Sequence, residues 1–342
     1  MSDLEADPVE ALCEPSPSPG PITELYPARE VPLGGVRGVF VERTLPQRDL
    51  PTVGAWCFLD RFGSPTVTTT GASPDILPHP HIGLQTVTWP FDGRIRHRDS
   101  VGSDVEIEPG QLNLMTSGRG IVHSEFGVPG ANAGNGLQLW IALPGEATGV
   151  DPHFEQHREL PVYEEPGLRA TVLIGSLGGA VSPARAYTPI VGADVVLDAG
   201  AEVRLPLERA FEHAILVIGG TVEVDGVDLS AGPLLYLGTS RSELRLTSAE
   251  GAHFALIGGE PFAEELVMWW NFVGRSHDEI VAAREAWEAR DTDRFGSVAG
   301  HGPDERIPAP PLPPLRLKPR KRATGCSHGE RTDPASGATP DR

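Results

Sequence analysis

Two short polar pairs constrain this chain more than any other feature: His79-Pro80-His81 and His123-Ser124-Glu125. In an extended strand, residues i and i+2 point to the same face. Each pair therefore offers two ligand-type side chains to one side of one strand. Two such strands side by side bring three imidazoles and one carboxylate around a single point. A cluster that polar is costly to bury unless something compensates it, and a divalent transition metal does so. A fold that suits this chain must then set the segments around 80 and 124 together in an interior.

The rest of the sequence favours strands. VRGVFVERTL, LQTVTWPF, RIRHRDS, DVEIEPG, QLNLMT, GLQLWIALP, LRATVLIGSL and HAILVIGGTVEV are short, rich in β-branched and aromatic residues, and punctuated by Gly or Pro. The 40 glycines and 34 prolines fit short strands and many turns. Phe91-Asp92-Gly93 and Val224-Asp225-Gly226 read as tight hairpin turns. Further reversals fall at Glu108-Pro109-Gly110 and Ala231-Gly232-Pro233. Many short, regularly spaced strands argue for an all-β sandwich or barrel. The strand-and-turn pattern near 84–126 recurs near 213–258. This predicts two similar β-domains meeting near 145–160.

One C-terminal helix is expected. Ser276 and Glu279 form a capping box, and Ile280, Ala283 and Trp287 recur at helical spacing. Trp287 is expected to pack on a sheet, and Val267–Val273 (VMWWNFV) to be buried. The expected organisation is a disordered lead-in at 1–22, an N-terminal domain at 23–148, a C-terminal domain with the helix at 149–297, and a disordered tail at 298–342. That tail is Pro-rich, then basic, and holds both lysines, Lys318 and Lys321. The net charge of -19 argues against direct binding of nucleic acid or anionic membranes. No apolar run is long enough to span a bilayer, and the N-terminus lacks the pattern of a secretion signal. Three scattered cysteines, 13, 57 and 326, argue against a disulfide framework and for a reducing cytoplasm.

If Leu77–Trp89 runs as one strand, His79, His81, Gln85, Val87 and Trp89 share a face. A lone HxH is more often a surface or satisfied core pair than a metal site. The second pair at the same step shifts that balance. Three imidazoles and a carboxylate accept Fe, Mn, Ni, Cu or Zn. The absence of thiolates and the room for two open positions favour Fe(II) or another redox-active ion over structural zinc. His213 and His253 stand alone and read as satisfied structural histidines. His97 fits either the mouth of the site or an exposed strand end.

The segments HPHIGLQTVTWPFDGRIRHRDSVGS, PGQLNLMTSGRGIVHSE and GLQLWIALP resemble the pirin family of the cupin superfamily. The GEPF and WWNFV segments near 259–273 also look like pirin C-terminal features, so the resemblance covers about 25–295. It implies a bicupin, in which two antiparallel β-barrel (jelly-roll) domains face each other. It also implies one metal, normally iron, in the N-terminal barrel and none in the C-terminal one. The family's ligands fall on His79, His81, His123 and Glu125. Gln85 stands where some relatives carry an acid, which places it just outside the ligand set.

Two functions follow from the resemblance. One is a quercetin 2,3-dioxygenase, in which a monomer binds a flavonol and O2 and Glu125 accepts the substrate proton. Trp89 and Met115 are then candidate lining. The other is a non-enzymatic, redox-responsive co-regulator that binds a transcription factor or an enzyme.

Overall fold

The computed structural model describes residues 11–13, 20–33, 39–64, 75–131 and 134–317. The architecture is a bicupin. In the N-terminal half a seven-stranded sheet runs in the order His153–His157, Leu112–Thr116, Leu84–Asp92, Asn135–Ala142, Trp56–Phe62, Val39–Leu45, Arg29–Leu33. It closes against a four-stranded sheet ordered Ile76–His81, Ile121–Gly127, Ile95–Asp99, Asp104–Ile107. The second barrel is one continuous network whose central ladder joins Leu168–Leu177, Ile190–Leu197, Ala252–Gly259 and Glu212–Val224. Among the described residues the helices are short, the longest being His277–Glu288.

Alternation along the strands gives the seven-stranded sheet an apolar face turned toward the second barrel. Val87, Trp89, Leu137 and Leu139 of the first barrel meet Leu216, Tyr236, Ala255 and Ile257 of the second in one shared core. Trp56 locks the two together, its indole N–H reaching both Val191 O and Gly258 O at 3.1 Å. A Cβ on Gly54 would lie 2.7 Å from the Gly259 Cα, so the backbones meet at a distance only glycine permits. The inside of the second barrel is filled by Val172, Val195, Leu205, Val217, Phe254 and neighbours, an apolar cluster.

Several expectations are met. Val224-Asp225-Gly226 closes a two-residue hairpin, with Val224 opposite Val227 and positive φ at Asp225 and Gly226. Ser276 caps the helix, its hydroxyl accepting from Glu279 N, and the Glu279 carboxylate accepts from Arg275 N, one residue before the cap. Val267, Trp269, Trp270 and Phe272 are buried.

Other features differ. Phe91-Asp92-Gly93 is no hairpin. The strand before it pairs in the seven-stranded sheet and the strand after it in the four-stranded sheet, so this turn carries the chain across the barrel. Strands also cross the expected domain limits. Pro21–Tyr26 pairs with Leu234–Gly238 of the second barrel, and His153–His157 extends the first barrel's sheet beside Leu112–Thr116. Ala11–Cys13, in the expected disordered lead-in, pairs with Leu266–Trp269. Local composition sets strand tendency but not the partner.

The expected tail begins differently too. Residues 298–317 form no helix or strand, yet Val298, Ile307, Ala309 and Leu317 are buried. Trp287 is held from that side: its indole donates to Ile307 O at 2.9 Å and Arg306 stacks on its ring. Proline-rich coil needs no packed core of its own when it can cover another one. Residues 1–10, 14–19 and 318–342, with Lys318 and Lys321, lie outside the described residues.

Candidate metal centre

One face of the four-stranded sheet carries the site. Ile76–His81 and Ile121–Gly127 are antiparallel neighbours with His79 opposite His123. Opposed residues of an antiparallel pair share a face, and so do residues two apart. His79, His81 and His123 therefore converge. A bulge between His123 and Glu125 shifts the register but keeps Glu125 on the strand beside them. Pro80 is accommodated because its strand is the edge of the sheet. The Ser-Gly-Arg-Gly loop makes its turn at Gly118, with φ of 48°, just before Ile121.

The three imidazoles are completely buried, and Glu125 is 2% exposed. His79 Nδ1 lies 2.9 Å from Leu77 O and His81 Nδ1 lies 3.1 Å from Asn271 O. A carbonyl only accepts, so each Nδ1 carries the proton and each Nε2 keeps a lone pair. His81 Nε2 lies 3.1 Å from His123 Nε2, and His79 Nε2 is buried with no hydrogen-bond partner. Burial, followed by repulsion between the rings, holds His79 and His123 well below the ordinary imidazole value. Burial lowers His81 to about 3. All three are therefore neutral near pH 7, the state that binds metals.

These groups fit an ion. Two nitrogens about 2.0–2.1 Å from a shared cation stand about 2.8–3.4 Å apart at octahedral or tetrahedral angles. The observed 3.1 Å falls in that range. His79, His81 and His123 offer ligand atoms within 4.8 Å of one another. The orphaned buried His79 Nε2 beside the close His81–His123 nitrogen pair is unfavourable without such a guest.

His97 joins the site. His97 is 2% exposed, not at an exposed strand end. On the neighbouring strand Ile95–Asp99, His97 stands opposite Glu125 and Asp99 opposite His123. His97, His123 and Glu125 form a second group of ligand atoms within 4.8 Å. His97-Arg98-Asp99 shows the same i, i+2 step as the other two pairs, which was the available signal. Across the interior, the Thr88 hydroxyl lies 3.4 Å from Glu125 Oε1 and 3.0 Å from Gln138 Oε1.

Gln85 and Trp89 are corrected. The chain turns at Gly83, where φ is 68° and a Cβ would meet Val273 O at 2.0 Å. That turn separates Ile76–His81 from Leu84–Asp92 and resets the parity. Gln85 faces away from the histidines and donates to Thr116 Oγ1 and Arg185 O. Trp89 lies in the core between the barrels. The face toward the site is instead that of Thr86 and Thr88. Met115 stands opposite Thr86 on the same face.

In the second barrel His253 pairs with Asp194. His213 is buried with Nδ1 unpartnered, and burial lowers it to about 4. Among the described residues neither belongs to a metal-ligating group. No helix among those residues is long and apolar enough to cross a membrane.

Comparison with known proteins gives a consistent picture. The Pirin family model matches residues 38–141 and the Pirin C-terminal cupin domain model residues 192–295. A candidate quercetin 2,3-dioxygenase of Pseudomonas aeruginosa is 44% identical over 287 residues, covering 84% of this chain and 89% of that protein. A pirin-like protein of Caulobacter vibrioides is 38% identical, covering 78% and 92%. The crystal structure of a quercetin 2,3-dioxygenase from Acinetobacter baumannii superposes with a TM-score of 0.80 at 39% identity, covering 86% of this chain and 98% of that one.

Proposed function

The chain belongs to the pirin family, and from that premise we propose that it is an iron-dependent dioxygenase acting on flavonols. His79, His81, His123 and Glu125 are the residues that would hold the ion. The observation that carries this reading is the convergence of three neutral, lone-pair-bearing imidazoles, His79, His81 and His123, with buried Glu125 grouped with His123 and His97. The similarity to proteins named as quercetin 2,3-dioxygenases supplies the substrate class.

A bound divalent ion supplies Lewis acidity, which lowers the pKa of a substrate hydroxyl, and a redox centre for O2. The protein side of the chemistry falls to a few groups. Glu125 would take the proton of the flavonol 3-hydroxyl on a carboxylate oxygen. Thr88, 3.4 Å away, restrains that carboxylate. Trp140 stands edge-on to His81 at 5.2 Å and stacks on Phe58 at 4.0 Å, giving an apolar wall that excludes water.

The test is direct. Protein loaded anaerobically with Fe(II) should consume quercetin and O2 together once air is admitted. Turnover no greater than that of free iron would overturn the assignment.

A second reading draws on the enclosure of the site, whose three imidazoles have no exposed surface. A sealed ion acts through its charge, so Fe(II) and Fe(III) forms would present different surfaces to a regulatory protein. A partner captured by one oxidation state and released by the other, with no flavonol turnover, would favour this reading.

A further inference from the structure

His123 is approached by ring nitrogens from both sides. His81 Nε2 lies 3.1 Å from its Nε2, and His97 Nδ1 lies 3.4 Å from its Nδ1. Both neighbours present acceptors. His81 spends its proton on Asn271 O. His97 Nε2 lies 3.1 Å from Asp99 Oδ2, and a carboxylate accepts, so a neutral His97 ring carries its proton there and leaves Nδ1 bare. A neutral His123 has one proton for two acceptors. One of its two contacts must then face lone pair against lone pair.

The third bare nitrogen, His79 Nε2, lies on the His81 side. The cation belongs there and the proton belongs on the other side. We infer that Asp99 and His97 are a positioning pair that holds the His123 proton on Nδ1 and so presents Nε2 to the ion. The inference rests on the metal reading above. It assigns His97 a role behind a ligand rather than as one.

Asp99 is built for this. Its other oxygen, Oδ1, accepts from Val101 N at 3.0 Å and Ser103 N at 2.9 Å. Those bonds fix the carboxylate with Oδ2 toward His97. Phe154 stacks on the His97 ring at 4.5 Å and 20°, fixing its plane. Outer partners of this type orient ligand imidazoles and set their tautomers.

The same geometry makes Asp99→Asn a sharp probe. The two backbone N–H groups keep an oxygen at the Oδ1 position, so the amide nitrogen takes the place of Oδ2. An N–H then faces His97 Nε2, which must accept, and the His97 proton moves to Nδ1. That proton points at His123 Nδ1 and drives the His123 proton onto Nε2, the ligand atom.

The experiment measures Co(II) affinity by chelator competition for the wild type, Asp99→Asn, His97→Leu and His97→Asn. Asp99→Asn and His97→Leu should bind about 10–100-fold more weakly. His97→Asn keeps an acceptor oxygen near the old Nδ1 position and should stay close to the wild type. Unchanged affinity in Asp99→Asn overturns the inference. So does a His97→Asn variant as weak as His97→Leu, because His97 would then be a ligand itself. Nitrogen-15 NMR of histidine-labelled, metal-free protein supplies a readout independent of the ion. The His97 proton should move from Nε2 in the wild type to Nδ1 in Asp99→Asn, and an unmoved proton sinks the pairing. A wild type that shows this switch yet binds no Co(II) would sink the metal reading and leave the pair standing.

Discussion

Arg43 and Asp60 face each other across two strands of the first barrel, joined by two bonds, Nε to Oδ1 at 2.8 Å and Nη2 to Oδ2 at 2.9 Å. Their side chains are 1% and 0% exposed. The guanidinium also sits over the Phe58 ring, 4.3 Å from its centroid. Replacing Asp60 by Ala leaves a buried cation without its carboxylate, which costs about 3–5 kcal/mol. Urea unfolding of Asp60→Ala at neutral pH checks this. A loss well under 1 kcal/mol would mean the guanidinium finds water instead.

His81→Ala tests the ligand set. One imidazole of the cluster is lost while the apolar core around it remains, so the variant should fold and lose most of its metal. Metal analysis after dialysis reads the outcome. A full equivalent of metal retained by His81→Ala would contradict the assignment.

Trp287 separates stability from metal binding. It is 6% exposed, lies edge-on to Phe295 at 5.7 Å and hydrogen-bonds to Ile307 O. Trp287→Ala should cost about 3–5 kcal/mol and leave metal stoichiometry unchanged. Its effect should appear as a lower urea midpoint. A midpoint equal to the wild type would show that residues 298–317 hold without it.

His213 predicts a pH dependence in the second barrel. Its folded pKa of about 4, set first by burial, lies below the unfolded value of about 6.5. Between these values the unfolded chain binds the extra proton, so stability is full above about pH 6.5 and falls as pH drops toward 4. His213→Gln should flatten that slope by up to about 1.4 kcal/mol per pH unit. Parallel unfolding curves at pH 7, 5.5 and 4.5 decide it, and identical slopes in both proteins would refute it.

Much of the site was legible because ligand pairs at i, i+2 need only an extended backbone to share a face. His79, His81 and His123 needed nothing else once their strands were adjacent. Gln85 and Trp89 misled because parity counting assumes an unbroken strand, and one positive-φ residue, Gly83, ends it. His97 was ambiguous because an H-x-D step beside arginines looks the same on an exposed rim as in a buried sheet. Only its pairing opposite Glu125 distinguishes the two.

The sequence by itself determined that this chain makes short strands, repeats them in two barrels, caps one helix at Ser276 and offers three imidazoles and a carboxylate in two pairs. Those features depend on local backbone geometry and side-chain chemistry, which neighbouring residues suffice to define. Tertiary structure alone decided that Pro21–Tyr26 joins the far barrel, that residues 298–317 cover Trp287, and that Asp99 stands behind His97 and His123. Each joins residues distant in sequence or set by strand register, and the choice among partners is made by packing and hydrogen-bond satisfaction of the whole.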